Sequence, residues 1–171
     1  MSTMPGHPVT NFYASTPLAA ATLLSREGIQ QGQNQSPQSK YLKRITAMGP
    51  VAPTTLLLVD YLLYYPFIDG DSTDEQLFDN TVTLPRCTTG QGVKAFVVAQ
   101  GSYVGGAQFS ISYTNQDGVS GRISERCTSN TTTISGTLIT SGVAAGQFGW
   151  HIPLKNGDTG IRSVESFTFL S

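Results

Sequence analysis

Apolar and polar residues alternate along two stretches in the second half of the chain. Phe109, Ile111 and Tyr113 alternate with serine and threonine, and in the last predicted strand, residues 161–170, Phe167 and Phe169 lie on one side. A period of two is typical of a β-strand with one buried side and one solvent-facing side. An Asn-Gln-Asp-Gly turn follows the first stretch, and it predicts a hairpin whose return strand covers residues 119–126.

Further apolar runs extend this pattern over residues 51–171. Residues 54–65 are rich in leucine and tyrosine and predict a mostly buried strand or strand pair, although a buried helix has the same composition. Asp60, inside this run, needs a hydrogen-bond partner if it is buried. Residues 93–99 predict a core strand and residues 81–84 a short one. About eight short strands between turns favour a mainly β body, an antiparallel β-sandwich or jelly roll.

The first part of the chain has a different pattern. A Thr-Pro dipeptide predicts the start of a short helix over residues 18–27, and apolar residues at every third position predict a second one over residues 37–48. A glutamine-rich linker, residues 28–39, separates them. Neither helix is long enough to be stable alone, so each must bury its apolar side on the body or on a neighbour. We therefore expect residues 1–50 to form an extended N-terminal arm.

The charge is low and unevenly divided. Charged side chains make up 12% of the chain, which argues against long charged helices and coiled coils. The net charge of −1 argues against a general nucleic-acid binder. Residues 1–50 carry four basic side chains and one acidic, whereas residues 51–171 carry six basic and ten acidic. This division favours contact between the arm and an acidic surface. No apolar run is long enough to span a membrane as a helix.

Two groups of residues offer ligands that metals prefer. Residues 67–80 form a predicted acidic loop that includes Glu75. The oxygens of its Asp69, Asp71 and Asp74 suit calcium, but the loop lacks the glycine and the terminal glutamate of an EF-hand. We interpret the loop as a solvated turn that holds no metal. Cys87 and Cys127 belong to no metal-binding motif, and we predict that both are free thiols.

Other candidate sites lack the context that their chemistry needs. Gly90, Gly92 and Ala95 fit a loose dinucleotide-binding pattern, but a strand-like sequence follows where a helix must begin. His151 is the only histidine of the body, and its alternation with Trp150 indicates a position on the side of a strand that faces solvent. We therefore predict a protein that is not an enzyme and uses no cofactor.

Two motifs resemble a family of structural proteins from the virions of tailed bacteriophages. Residues 56–86, LLLVDYLLYYPFIDGDSTDEQLFDNTVTLPR, carry the longer motif, and residues 157–162, GDTGIR, are similar to a later one. Cys87 follows Arg86 where the family pattern is expected to have an aromatic residue such as tyrosine. The resemblance implies a structural role in the particle and transfers no catalytic residue.

The leading hypothesis is a capsid decoration or cement protein, located in the virion. Its partners would be the major capsid protein or other virion proteins and further copies of itself, without nucleic acid or membrane. The expected assembly contacts lie on the arm: Leu18, Leu23, Leu24, Lys40, Leu42, Lys43, Arg44, Ile45 and Met48. We also expect that removal of residues 1–50 leaves a folded body but abolishes attachment. The alternatives are a tail or head-to-tail connector subunit and a carbohydrate-binding accessory domain.

Overall fold

The structure, a computed structural model, describes residues 17–22, 36–46, 58–65, 68–79, 81–129, 132–133, 138–139, 141–142 and 148–170. Within these ranges every regular element is a β-strand, and the protein is mainly β. The strands are β1 (Leu18–Ala19), β2 (Gln76–Asp79), β3 (Val97–Val98), β4 (Tyr103–Val104), β5 (Gln108–Asn115), β6 (Arg122–Ile123), β7 (Cys127–Thr128), β8 (Thr132–Thr133), β9 (Leu138–Ile139), β10 (Ser141–Gly142), β11 (Phe148–Gly149) and β12 (Ile161–Phe169).

Eight strands form one mixed sheet in the order β1-β2-β12-β5-β7-β10-β11, and β6 pairs with β5. β1 and β2 are parallel, and the other pairs are antiparallel. β12 and β5, the two longest strands, lie at the centre. β12 pairs along one edge of β5, and β6 and β7 share the other edge. The pairing of β5 with β6 confirms the predicted hairpin, but its return strand is confined to Arg122–Ile123 instead of residues 119–126.

Two antiparallel ribbons lie outside this sheet. β3 pairs with β9, where Val97 is opposite Ile139, and β4 pairs with β8, where Tyr103 is opposite Thr133. The two ribbons have the same pairing register, because the residue numbers of opposite residues have the same sum in both. β4 and β8 therefore continue, further along the chain, the antiparallel pairing of β3 with β9.

One side of the main sheet forms the hydrophobic core. Along β5 every second residue is buried, and the buried residues include Phe109, Ile111 and Tyr113, as the alternation predicted. Phe167 of β12 stacks on Phe109 with ring centroids 5.0 Å apart, and Phe169 meets Phe109 edge-on. The buried core comprises Leu18, Phe78, Phe109, Ile111, Tyr113, Cys127, Ile152, Ile161 and Phe167.

Extended segments without regular pairing cover this core. The Ile152 N–H donates to the Ala95 carbonyl at 2.8 Å, and the Ile161 N–H donates to the Val93 carbonyl at 3.1 Å. Of the predicted core strand over residues 93–99, only β3 has strand pairing. The backbone of this segment is satisfied by single hydrogen bonds to the chain around Ile152 and Ile161 instead of by a continuous ladder.

The prediction of a helix over residues 18–27 is wrong for the part that the structure describes. Leu18 and Ala19 pair with β2, and Ala21 exchanges two backbone hydrogen bonds with Tyr64, at 2.9 and 2.8 Å. These contacts satisfy the backbone groups that a short helix would pair internally, and they bury Leu18, which a marginal helix would not achieve. Residues 23–27 lie outside the described residues.

Three further expectations need correction. Residues 36–46, which include most of the second predicted helix, have no helix, and residues 81–84 form no strand. The end of the predicted acidic loop is instead β2. This strand ends because the Asp79 carboxylate accepts hydrogen bonds from the Thr81 N–H at 3.0 Å and from its hydroxyl at 2.6 Å, which closes a turn.

Leu18→Ala should destabilise the protein although Leu18 belongs to the expected arm. Leu18 is only 3% exposed, and deletion of a buried leucine side chain lowers the free energy of unfolding by about 2–5 kcal/mol. Leu42→Ala, at a position 62% exposed, is the matched control and should change it by less than about 0.5 kcal/mol. Urea unfolding measures the free energy of unfolding of both variants, and equal effects would contradict the docking of Leu18.

Removal of residues 1–50 deletes β1, so we expect a destabilised body and not an intact one.

Candidate functional site

Residues 36–46 form an exposed segment with a mixed apolar and basic character. All of them are exposed, and Tyr41, Leu42 and Ile45 are 86%, 62% and 46% exposed. Single exposed apolar residues are common on protein surfaces, but three within five positions indicate a contact surface. We call residues 36–46 the arm segment.

The structure brings five of the nine expected assembly contacts together on the arm segment: Lys40, Leu42, Lys43, Arg44 and Ile45. Leu18 is not among them, because it is buried in the core of its own chain. Leu23, Leu24 and Met48 lie outside the described residues. The basic side chains therefore stand beside exposed apolar ones in an irregular segment and not on the polar side of a helix.

A β-bulge shapes the side of the main sheet that faces away from the core, here called the outer face. Val164 lies opposite Tyr113 and Ser166 opposite Ser112, so that Glu165 is an extra residue in β12. The bulge turns Glu165 to the outer face. There its carboxylate accepts hydrogen bonds from the hydroxyls of Ser112 and Thr114, each at 2.7 Å.

Strand pairing aligns four residues in one row across the outer face. Leu77 of β2 is opposite Ser166, Ser166 is opposite Ser112, and Ser112 is opposite Ile123 of β6. Leu77 and Ile123 are 48% and 52% exposed at the two ends of the row. A second carboxylate, Glu75, accepts the hydroxyl of Ser166 at 2.6 Å. We call Leu77, Ser166, Ser112 and Ile123 the outer row. It has apolar ends and two carboxylates between them.

Sequence reasoning missed the outer row. It assigned Glu75 to the acidic loop and gave no role to Leu77, Ile123 or Glu165. The alternation of serine with buried apolar residues along β5 was the available signal, because it marks the polar side of the strand. The strand order and the bulge that complete the row depend on pairing between distant segments.

A polar cluster ties the turn after β5 to the turn before β12. The Asp158 carboxylate, whose side chain is 3% exposed, receives two hydrogen bonds from Arg122 at 2.8 and 3.1 Å. It also accepts from the Tyr113 hydroxyl at 2.5 Å and from the Asn115 amide at 2.8 Å. Tyr113 in turn accepts from the Lys155 N–H at 3.0 Å. These groups satisfy one another inside the protein, so the cluster is a structural link.

Charge and burial shift the ionisation of this cluster. Hydrogen bonding to Arg122, aided by Tyr113 and Asn115, holds the pKa of Asp158 well below its usual range. Burial, with the hydrogen bond to Asp158, raises the pKa of Tyr113 to about 12. Asp158 is therefore ionised and Tyr113 neutral at physiological pH. This assignment of charges is the one that makes every hydrogen bond of the cluster favourable.

The glycines of the loose dinucleotide-binding pattern allow the backbone around Gly90 to pack closely against the backbone around Gly160. Gly90 and Gly92 both have a φ of +74°, and Gln91 forms a β-bridge with Gly160. A Cβ on Gly160 would overlap the Gly90 carbonyl oxygen, and one on Gly90 would lie 2.5 Å from the Ile161 carbonyl oxygen. No helix begins in the described residues after Gly92, so no helix N-terminus faces a phosphate there.

The acidic loop uses its polar groups within itself. Asp69 accepts the Asp71 N–H at 3.0 Å, and its backbone exchanges two hydrogen bonds with the Gln76 amide, both at 2.8 Å. Among the residues that the structure describes, no three histidine, cysteine or acidic side chains are grouped to hold a metal ion. Asp60, at the start of the described part of the leucine-rich run, is exposed and forms a two-point ion pair with Arg86.

The aromatic residues near His151 form no open platform for a sugar. Phe96 lies between Tyr61, at a centroid distance of 5.3 Å, and Trp150, at 5.8 Å, and all three are half-buried. Burial and the charge of Lys94 lower the pKa of His151, so its imidazole is neutral at pH 7.

The two cysteines should differ strongly in reactivity. Both are free thiols: Cys87 is exposed, and Cys127 is buried beside Phe109 in the sheet register, with its pKa raised by burial to about 12. Because the thiolate is the reactive form, Cys87 should react with a thiol reagent such as dithionitrobenzoate in the native protein, and Cys127 only after unfolding. Titration with and without denaturant measures this, and two fast-reacting native thiols would contradict it. Cys87→Ser is the control that identifies the fast thiol.

The described ranges hold no helix that is long and apolar enough to cross a membrane. Comparison with protein-family models, with curated proteins and with solved structures gives no match for this chain.

Proposed function

We propose that this protein is a non-enzymatic virion structural protein of a tailed bacteriophage, a capsid decoration or cement protein that attaches through its arm segment. The single observation that carries the proposal is the exposure of Tyr41, Leu42 and Ile45 next to three basic side chains. The virion itself is taken from the resemblance of residues 56–86 and 157–162 to that family. We further propose that the two ribbons belong to the second layer of a β-sandwich or jelly roll.

The physical basis is the cost of leaving such a segment in water. Burial of a large apolar side chain against a partner contributes roughly 1.5–3 kcal/mol, so three of them can hold a flexible segment in place. Lys40, Lys43 and Arg44 add long-range attraction to an acidic surface and raise the association rate. The proposed partners are the major capsid protein or other virion proteins, together with neighbouring copies of this chain.

Attachment to particles tests this function. Particles that lack the protein are mixed with the wild type or with the triple variant Lys40→Glu, Lys43→Glu, Arg44→Glu, and bound protein is measured by co-sedimentation. We expect the triple variant to bind more weakly, with a larger difference at low salt because exposed charges are screened at high salt. The double variant Arg126→Glu, Lys155→Glu reverses two exposed charges of the body and is the control.

Equal binding by the wild type and the triple variant would contradict the proposal. The copy number per particle separates it from the connector alternative, because a decoration protein follows the number of lattice sites whereas a connector is present in few copies.

A further inference from the structure

We propose that residues 41–45 of one molecule bind across the outer row of a second copy of this chain. The contact would join Tyr41, Lys43 and Ile45 of the arm segment to a row with Leu77 at one end and Ile123 at the other. This inference rests on the proposed function and names one partner, the protein itself.

The outer row has a defined length and a defined order of chemistry. Leu77 and Ile123 are separated by three strand spacings, which correspond to about 14 Å. Between them lie Ser166 and Ser112, each with a carboxylate on its hydroxyl: Glu75 at 2.6 Å and Glu165 at 2.7 Å. The order across the sheet is therefore apolar, anionic, anionic, apolar.

The arm segment presents the complementary order when it is extended. Side chains of an extended chain alternate between two sides, so Tyr41, Lys43 and Ile45 share one side. The four residue steps from Tyr41 to Ile45 cover about 13 Å in an extended chain, which matches the length of the outer row. The order along this side is apolar, cationic, apolar. The ammonium group of Lys43 would lie above the two carboxylates while Tyr41 and Ile45 cover Leu77 and Ile123.

The occupant is a second copy because the arm segment does not cover the outer row of its own chain. In the structure residues 36–46 are all exposed, and so are Leu77 and Ile123. Within the row Ser166 is only 2% exposed and Glu165 is half-buried, so the groups that an incoming segment can reach are the two apolar ends and the carboxylates, of which Glu75 is exposed. Each molecule can therefore give its segment and receive one. The basic arm segment is attracted to the carboxylates of Glu75 and Glu165, and this charge complementarity favours binding at the outer row over binding at neutral or basic surfaces.

Self-association of the purified full chain, without particles, tests the inference. We expect sedimentation equilibrium at low salt to detect a dimer or larger oligomer. Lys43→Glu and Glu75→Lys, each alone, should weaken it by about tenfold or more, because each places like charges together. An equimolar mixture of the two variants should recover wild-type association, because every contact in a mixed pair again joins opposite charges.

Matched controls separate this contact from general charge effects and from unfolding. Arg44→Glu reverses a charge on the opposite side of the extended segment and should weaken association much less than Lys43→Glu. Ile123→Asp should weaken it, whereas Val119→Asp, at a position of similar exposure outside the row, should not. Thermal melts must show that each variant is as stable as the wild type.

A chain that stays monomeric at every concentration would overturn the inference, and so would equal effects of Lys43→Glu and Arg44→Glu or a mixture that fails to recover association. The proposed function fails on a different observation, because it is measured as binding to particles. Self-association without particle binding would refute only the proposed function.

Discussion

Replacement of Gly160 by alanine should lower the melting temperature by about 10 °C, which corresponds to a loss of about 3 kcal/mol for a chain of this size. The added Cβ would overlap the Gly90 carbonyl oxygen and lie 2.7 Å from the Gly92 nitrogen. These are backbone atoms that cannot rotate away as a side chain can. The two segments must therefore separate, which strains the bridge between Gln91 and Gly160.

Gly101→Ala is the control for the loss of a glycine as such. An added Cβ at Gly101 meets no atom within 4 Å, and the residue has no positive φ that a side chain would strain. We expect a change of less than about 0.5 kcal/mol, with either sign. Calorimetry of both variants measures the effect, and a Gly160→Ala protein that melts like Gly101→Ala would show that the two backbones are not in close contact.

Asp158→Asn should lower the melting temperature by roughly 5–10 °C, since it removes one partner of an ion pair that is largely shielded from water. The amide keeps the shape of the carboxylate, but it leaves the Arg122 guanidinium without its counter-charge and gives the Tyr113 hydroxyl a weaker acceptor. Asp117→Asn changes an exposed carboxylate in the neighbouring turn and is the matched control. If the two variants melted alike, the cluster would not contribute to stability.

The effect of Asp158→Asn should depend on pH. The pKa of Asp158 is lowered in the folded protein, whereas that of an unfolded aspartate is about 4. Its contribution to the free energy of unfolding is therefore fully present above the unfolded pKa and is lost as the pH falls toward the folded pKa. Melts from neutral pH downward should show a difference between wild type and variant that is constant near pH 7 and shrinks below pH 4. A constant difference at all pH values would mean that the charge of Asp158 is not its cause.

The central strands were predictable because their signal is local. β5 carries a long alternation of apolar and polar residues, β12 ends in Phe167 and Phe169 on either side of a threonine, and a clear turn sequence follows β5 and precedes β12. The first strand was not predictable in this way. Leucine and alanine after residue 17 have high helix propensity, and the partner of Leu18 is Phe78, far along the chain. Tertiary pairing overrides the local preference there, and no periodicity within the segment records it.

The candidate site was predictable to a similar degree. The basic and apolar residues around Lys43 were identified from the spacing of the apolar positions and from the uneven distribution of charge, and they are exposed as an interaction surface requires. The prediction that these residues form a helix was wrong for residues 36–46, because nothing in the described structure covers the apolar side that would stabilise such a helix. The outer row was not predictable, since one extra residue in β12 decides on which side of the sheet Glu165 lies.

The position of β12 has a consequence for the synthesis of the protein. β12 is the last of the described strands to leave the ribosome, yet it lies at the centre of the sheet between β2 and β5. Until residues 161–169 have been translated, β2 lacks the one antiparallel partner that it has among the described strands, and the ring of Phe109 has no Phe167 beside it. The central pairing of the sheet can therefore form only after residues 161–169 have been translated. During elongation the earlier strands therefore expose apolar surface that the finished sheet buries, and exposed surface of this kind favours aggregation.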